Sequence, residues 1–199
     1  MSKPESTLDT LFIGKRLQSK IEDFSLSEIQ FFAYLSCLLS LYEGHTVSEW
    51  NYSFIKSSLG SPYSSDLHSS LEVLLSNGSI IETDKHYYHL TEKGGKSLDF
   101  YATLKLLNWR CRYLEAACRS LSVFPYGKIK EAIINEPVIT SARNSTINRN
   151  LLDEHNPATE VLHSQFASLK VALADQFPSL IGPALVWIES LNQRPLTIK

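Results

Sequence analysis

The spacing of apolar residues predicts three consecutive helices in the first half of the chain. Between residues 24 and 43 apolar side chains recur every three or four positions, and Ser25 and Glu28 have the spacing of a capping box at a helix start. A second such box precedes another apolar run, and Asn77 followed by Gly78 is a typical helix stop. The predicted helices cover residues 26–43, 47–59 and 64–77.

Two short runs rich in aromatic and β-branched residues follow the third helix. They flank a polar pair, Asp84 and Lys85, and therefore predict a hairpin over residues 79–91. Tyr88 and Leu90 lie on one face of the second strand, which we assign to the core. Apolar residues then recur at alternating spacings of three and four, which predicts one long helix over residues 92–121.

Three helices, a hairpin and a following helix form the order of a winged helix-turn-helix. The segment from Leu71 to Ile80 and the segment from Tyr88 to Gly94 resemble the third helix, wing and exit of MarR-like and PadR-like winged helices. The resemblance covers residues 24–121 and implies contacts with either DNA or protein, because this fold serves both. It also implies a homodimer through residues 98–121. The alternative is that this helix packs onto its own domain.

The predicted fold class is mainly α, and the chain divides into three regions. Residues 1–23 are expected to form an N-terminal arm, residues 24–121 the winged-helix domain with its long exit helix, and residues 122–199 a helical C-terminal region. The last region contains a polar stretch without periodicity, residues 137–156, which we predict to be an irregular loop. Helices are expected around it, at about 126–135, 157–177 and 180–192.

Composition and motifs favour a protein without catalytic chemistry. The sequence has 199 residues, 43% of them hydrophobic, and its three cysteines are too few for a disulfide framework. Phosphate-binding loops, nucleophile elbows and zinc-binding helix motifs are absent from the sequence, so we expect no enzymatic activity, no cofactor and no metal. His86 and His89 are three apart in a predicted strand and therefore point to opposite faces. Without a signal peptide or membrane span in the sequence, we expect a cytoplasmic protein.

The charge distribution favours protein contacts over DNA contacts. Residues 21–100 hold four basic and eleven acidic side chains, although the net charge of the whole chain is only −2. The third helix offers no lysine or arginine, and phosphate neutralisation by cations supplies much of DNA affinity. The alternative is a dimeric transcription regulator whose DNA-reading face consists of Ser65, His68, Ser69 and Lys85.

A basic row in the long helix is a second candidate surface. Lys105, Arg112 and Arg119 are seven residues apart and would lie on one face. They could form a solvated face in which the arginines pair with Glu115. They could also contact an acidic partner or phosphate groups.

The whole chain resembles the small middle component of bacterial three-component ATPase defence systems of the Lamassu type. The resemblance rests on length, on one acidic winged helix and on the helical second half. It implies a non-catalytic adaptor subunit bound to a larger protein, an SMC-like or ABC ATPase, in an anti-phage assembly. DNA contact would then be indirect or weak, and no membrane contact is expected.

Overall fold

The computed structural model of the chain describes residues 2–84, 86–143, 150–153, 155–174 and 176–193. The described residues are mainly helical and form two small antiparallel sheets. The helices are α1 (Pro4–Ile21), α2 (Leu26–Glu43), α3 (Ser65–Ser76), α4 (Glu92–Thr103), α5 (Lys105–Asn108), α6 (Cys111–Arg119), α7 (Tyr126–Ile134), α8 (Pro137–Arg143), α9 (Pro157–Leu173) and α10 (Ile181–Asn192). The strands are β1 (Phe24–Ser25), β2 (Ile55–Lys56), β3 (Pro62–Tyr63), β4 (Ile80–Asp84) and β5 (Tyr87–Leu90).

The expected N-terminal arm over residues 1–23 is wrong, because most of this segment is the helix α1. It packs against α2, α3, α4 and α6, and most of its residues are buried. Small residues allow this close approach: a Cβ on Gly14 would lie 2.8 Å from the ring of Phe24. Ser6 and Ser70 share a buried hydrogen bond of 2.7 Å between α1 and α3. In the sequence of α1 the buried residues include small and polar ones as well as apolar ones, so no apolar helical face is recognisable.

Helix α2 is the centre of the core and follows the sequence prediction. Its start is the predicted capping box: Glu28 N–H donates to Ser25 Oγ, and Ser25 N–H donates to the Glu28 carboxylate. Its end is Gly44, which adopts φ 104°, a conformation that glycine tolerates best. Every residue from 29 to 42 is buried because α1, α3, α6, α7 and α9 surround the helix.

A buried ion pair joins the first helix to the middle of the chain. Arg110 Nε donates to Asp9 Oδ1 at 2.9 Å, Arg110 Nη1 donates to the Trp50 carbonyl at 3.0 Å, and both charged side chains are fully buried. Tyr52 donates its hydroxyl to Asp9 Oδ2 at 2.5 Å. Burial alone would lower the pKa of Arg110, but the ion pair with Asp9 raises that pKa above its ordinary value, so Arg110 stays charged.

The predicted helix over residues 47–59 is wrong. Thr46 N–H does donate to Glu49 as a capping box requires, but the helix lasts only one 3-10 turn, Ser48–Trp50. Asn51 then adopts φ 65°, and the chain becomes extended and forms a two-stranded sheet, β2 with β3. The Arg110 bond to the Trp50 carbonyl and the burial of Tyr52 beside Asp9 hold this non-helical path, and no local signal encodes it.

The third helix and the hairpin are confirmed. β4 and β5 are antiparallel neighbours, and β1 adds to the other edge of β5, with Phe24 opposite Tyr88. The predicted core residues Tyr88 and Leu90 are buried. Thr91 caps α4 by accepting from Gly94 N–H, and a Cβ at position 94 would lie 2.2 Å from the Ser79 carbonyl oxygen. Glycine at this position therefore allows α4 to pack directly on the hairpin.

The predicted single helix over residues 92–121 is wrong, because the chain forms three shorter helices, α4, α5 and α6. Leu104 is extended, at φ −71° and ψ 117°, and a second bend precedes α6, where Arg110 turns inward to Asp9. Of the expected dimer seam, Leu107, Leu114 and Cys118 are buried within the chain. These three side chains therefore pack against their own chain, which is the alternative to the dimer seam.

The C-terminal helices complete the same core. α7 and α10 form near the predicted positions, whereas α9 ends at Leu173, short of the predicted end at residue 177. Phe166 of α9 packs on Trp187 of α10 with ring centroids 5.4 Å apart. The predicted loop over residues 137–156 is wrong in part, because its first seven residues form α8; residues 144–149 and 154 lie outside the described residues. The Glu136 carboxylate starts α8 by accepting from the N–H groups of Val138 and Ile139.

Truncation of the buried face of α3 should destabilise the protein. We expect Leu71→Ala and Leu74→Ala each to lower the free energy of unfolding by about 2–5 kcal/mol, because both side chains are buried and leave a cavity. Val73→Ala, on the exposed face of the same helix, is the matched control and should cost far less. Urea unfolding measures all three, and equal costs at positions 71, 73 and 74 would contradict the assigned face.

Loss of the buried arginine should cost more than loss of its exposed neighbour. Arg110→Ala leaves the Asp9 carboxylate buried without its partner, so we expect a loss of about 3–5 kcal/mol. Arg112→Ala removes an exposed ion pair with Glu43 and a contact with the Tyr113 ring, and it should cost less than about 1 kcal/mol. Unfolding curves of the two variants measure both losses. Equal stability of Arg110→Ala and Arg112→Ala would refute a stabilising role of the Asp9–Arg110 pair.

Candidate functional site

The exposed face of α3 carries the polar residues predicted to contact DNA in the regulator hypothesis. Ser65 is exposed, and His68 and Ser69 are half-buried. His68 Nδ1 lies 2.8 Å from the Tyr63 hydroxyl, so its ring is already oriented within the protein. The same helix adds Glu72, whose carboxylate is exposed 3.7 Å from the other nitrogen of His68. The face is therefore polar to acidic, with its histidine engaged by neighbours.

Two lysines reach α3 from neighbouring elements, and both are engaged. Lys3 Nζ lies 3.3 Å from Asp66 and donates to the Asn51 carbonyl at 2.8 Å. Lys93 Nζ donates to the Asn77 carbonyl at the end of α3 at 2.5 Å. Both ammonium groups are therefore bonded to oxygen atoms of the protein itself.

The hairpin adds exposed apolar and acidic side chains beside α3. Ile81 and Tyr87 are 48% and 51% exposed, and Val73 on α3 is 40% exposed. Glu82 and Asp84 are exposed on β4, whereas Lys85, the predicted basic residue of this hairpin, lies outside the described residues. We call the exposed side chains of α3 and the hairpin the α3–hairpin face. Across its described part, α3 and the two hairpin strands carry no lysine or arginine.

The predicted basic row is not one surface. Lys105 lies in α5, whereas Arg112 and Arg119 lie in α6, and the bend between these helices separates them. The expected pairs of Glu115 with the two arginines are wrong: Glu115 pairs with Arg16 at 2.7 Å, and Arg112 pairs with Glu43 on α2. Both contacts come from distant sequence positions, so helical spacing could not identify them.

Arg112 and Arg119 instead line an open cavity of about 920 Å³. It lies at the end of α2, beside α6, where the chain turns from α9 into α10. The cavity wall is a mixture of charged, polar and apolar side chains, contributed by Tyr42, Glu43, Arg112, Glu115, Ala116, Arg119, Lys170, Ala174, Phe177, Pro178, Ser179, Leu180, Ile181 and Pro183. Lys170 and the α9–α10 turn could not be assigned to this site from the sequence, because they approach α6 only in the folded chain.

The cations of this cavity differ in their partners. Arg112 pairs with Glu43, whereas Lys170 Nζ lies 5.2 Å from the ring centroid of Tyr42, over its face. Arg119 is exposed, and within the described part of the chain it forms no ion pair. The cavity therefore offers at least two cations, on α6 and α9, that no described carboxylate neutralises.

Two buried carboxylates lie inside the fold and do not form an accessible site. Asp9 is sealed between Arg110 and Tyr52. Glu136 is also fully buried; burial raises its pKa to about 7, against the opposing effect of hydrogen bonds from Val138, Tyr34 and Ile139. Neither carboxylate is exposed to a substrate. Their contacts instead connect α1 with α6 and α2 with α8.

The remaining candidate ligands of metals are dispersed or engaged. His89 lies 3.0 Å from Asp23 through Nδ1 and 2.8 Å from Gln18 through Nε2, and His86 is largely exposed near Glu82. Of the described residues, no group of three or more histidine, cysteine, aspartate and glutamate side chains is arranged to hold a metal ion. Three free cysteines have pKa values raised by burial, which opposes thiolate formation at neutral pH.

Comparison with known proteins gives no match: no protein-family profile, no curated protein and no solved structure corresponds to this chain. Of the helices in the described residues, none is both long and apolar enough to cross a membrane.

Proposed function

We propose that the chain is a non-catalytic winged-helix adaptor subunit of a larger protein complex. The order of elements supports the winged helix, in a form different from the sequence prediction. The three helices before the hairpin are α1, α2 and α3, and the segment between α2 and α3 is an insertion that contains β2 and β3. The sheet that joins β1 to the hairpin ties the first two helices to the wing.

The composition of the α3–hairpin face carries the proposal. In a DNA-binding winged helix this face meets phosphate, and lysine and arginine supply most of the affinity. Here Glu72, Glu82 and Asp84 are exposed and would oppose phosphate. The exposed Ile81 and Tyr87, which share one side of the hairpin, provide the kind of surface that protein interfaces bury at their centre.

The partner that best fits this face is a protein with basic residues around an apolar contact. The resemblance to Lamassu-type middle components favours an SMC-like or ABC ATPase as that protein, in an anti-phage defence assembly. The adaptor would contribute binding and positioning, while the partner would carry the catalytic chemistry.

The competing function is a dimeric DNA-binding regulator. The observation that favours it is the accessibility of Ser65, His68 and Ser69 on α3, since hydroxyl and imidazole groups can contact base edges. The acidic neighbours on the same face weigh against it. The two functions differ in a directly measurable way, namely in what the purified chain binds.

A paired pull-down and gel-shift experiment tests the adaptor function. We expect a tagged chain expressed in its native cells to co-purify with one larger protein in fixed stoichiometry. Ile81→Glu and Tyr87→Glu should each weaken this complex by roughly tenfold, because apolar anchors dominate interface energies. Leu59→Glu, at an exposed apolar position in the turn between β2 and β3, is the matched control and should leave the complex intact.

A gel shift with duplex DNA can contradict the adaptor function. On the adaptor account, the purified chain does not shift duplex DNA at physiological salt. A tight, sequence-specific shift that is abolished by Ser65→Ala, His68→Ala and Ser69→Ala would instead establish the regulator.

A further inference from the structure

We propose that the cavity between α2, α6 and the α9–α10 turn is a binding site for a small organic phosphate with an apolar or aromatic body. This inference does not depend on the adaptor function. It rests on three features of the cavity: two cations that no described carboxylate neutralises, a helix start and an apolar wall.

The cations supply the first requirement. Glu43 and Glu115, the acids among the described residues of the cavity wall, are already paired with Arg112 and Arg16. Arg119 has no described ionic partner, and Lys170 lies over the face of the Tyr42 ring without an ion pair to any described carboxylate. A divalent anion would therefore find two cations from two helices at one opening, and arginine can hold a phosphate through two parallel hydrogen bonds.

The start of α10 adds to the positive potential. Leu180, Ile181 and Pro183, which are the N-cap and first-turn residues of this twelve-residue helix, line the cavity. No side chain caps the helix start by a hydrogen bond, so the N–H groups of Ile181 and Gly182 have no acceptor within the helix and could donate to an anion, whereas Pro183 has no N–H. The helix start strengthens the attraction that the two cations already provide.

The apolar wall distinguishes an organic phosphate from a free ion. Ala116, Leu180 and Ile181 offer aliphatic surface, and Tyr42 and Phe177 offer aromatic surface. The volume of about 920 Å³ lies within the range of sites that enclose small organic molecules. A free phosphate would leave this surface without a partner, whereas a phosphate ester would cover it.

Calorimetric titration of the full chain with four matched probes tests the ligand class. The probes are phenyl phosphate, inorganic phosphate, benzoate and phenol. We expect phenyl phosphate to bind at least about tenfold more tightly than each of the other three, because only it satisfies both the cations and the apolar wall. Equal affinity for inorganic phosphate would overturn the apolar requirement, and equal affinity for benzoate would overturn the phosphate assignment.

Substitutions locate the binding. Arg119→Ala and Lys170→Ala should each weaken phenyl phosphate binding by roughly tenfold, as expected for loss of a charge-assisted hydrogen bond. Ser179→Glu, which places an acid at an exposed position in the cavity wall, should abolish binding. Lys105→Ala is the matched control, because Lys105 belongs to the same sequence row but lies outside the cavity wall.

All four positions are exposed, so the variants should fold, and their melting temperatures should match that of the parent. Unchanged affinity in Arg119→Ala and Lys170→Ala, or an equal loss in Lys105→Ala, would overturn the proposal, as would the absence of phenyl phosphate binding to the parent protein.

Discussion

The structure depends on the buried contact between Asp9 and Arg110. Removing two charges from water costs several kcal/mol for each ion, so such a pair persists only where its remaining hydrogen bonds are satisfied. Here Trp50 and Tyr52 satisfy them, and the Arg110 guanidinium carbon lies 3.6 Å from the centroid of the Trp50 ring. One cluster therefore connects α1, the start of α6 and the segment that follows α2. The path of the chain in all three places follows from this requirement.

The α3–hairpin face and the cavity at the α9–α10 turn have opposite character. The α3–hairpin face combines carboxylates with exposed apolar side chains, which suits a protein partner and opposes DNA. The cavity at the α9–α10 turn instead presents Arg119 and Lys170 over an apolar wall, which suits a small anion. An adaptor with both could bind its partner through one surface and a ligand through the other.

The sequence predicts those parts of the fold that local contacts determine. The Ser25–Glu28 capping box, the Asn77 stop and the hairpin each involve residues within a few positions of one another, and all are confirmed. The helix over residues 47–59 fails because Arg110, sixty positions away from Trp50, holds the chain in another conformation. Helical spacing placed Lys105 with the two arginines, but the inward turn at Arg110 divides the helix. Among the cations that line the cavity, the sequence identifies only Arg112 and Arg119 as candidate contact residues, because Lys170 is brought beside them by tertiary packing.

Amide hydrogen exchange of the free protein tests most directly whether α1 is an integral part of the fold. If the Asp9–Arg110 contact holds α1 in the core, the amides of Pro4–Ile21 exchange as slowly as those of the central helix α2, because the two helices open together with global unfolding. Rapid exchange throughout α1, with α2 still protected, would show that the N-terminal residues form a detachable arm and would contradict the account.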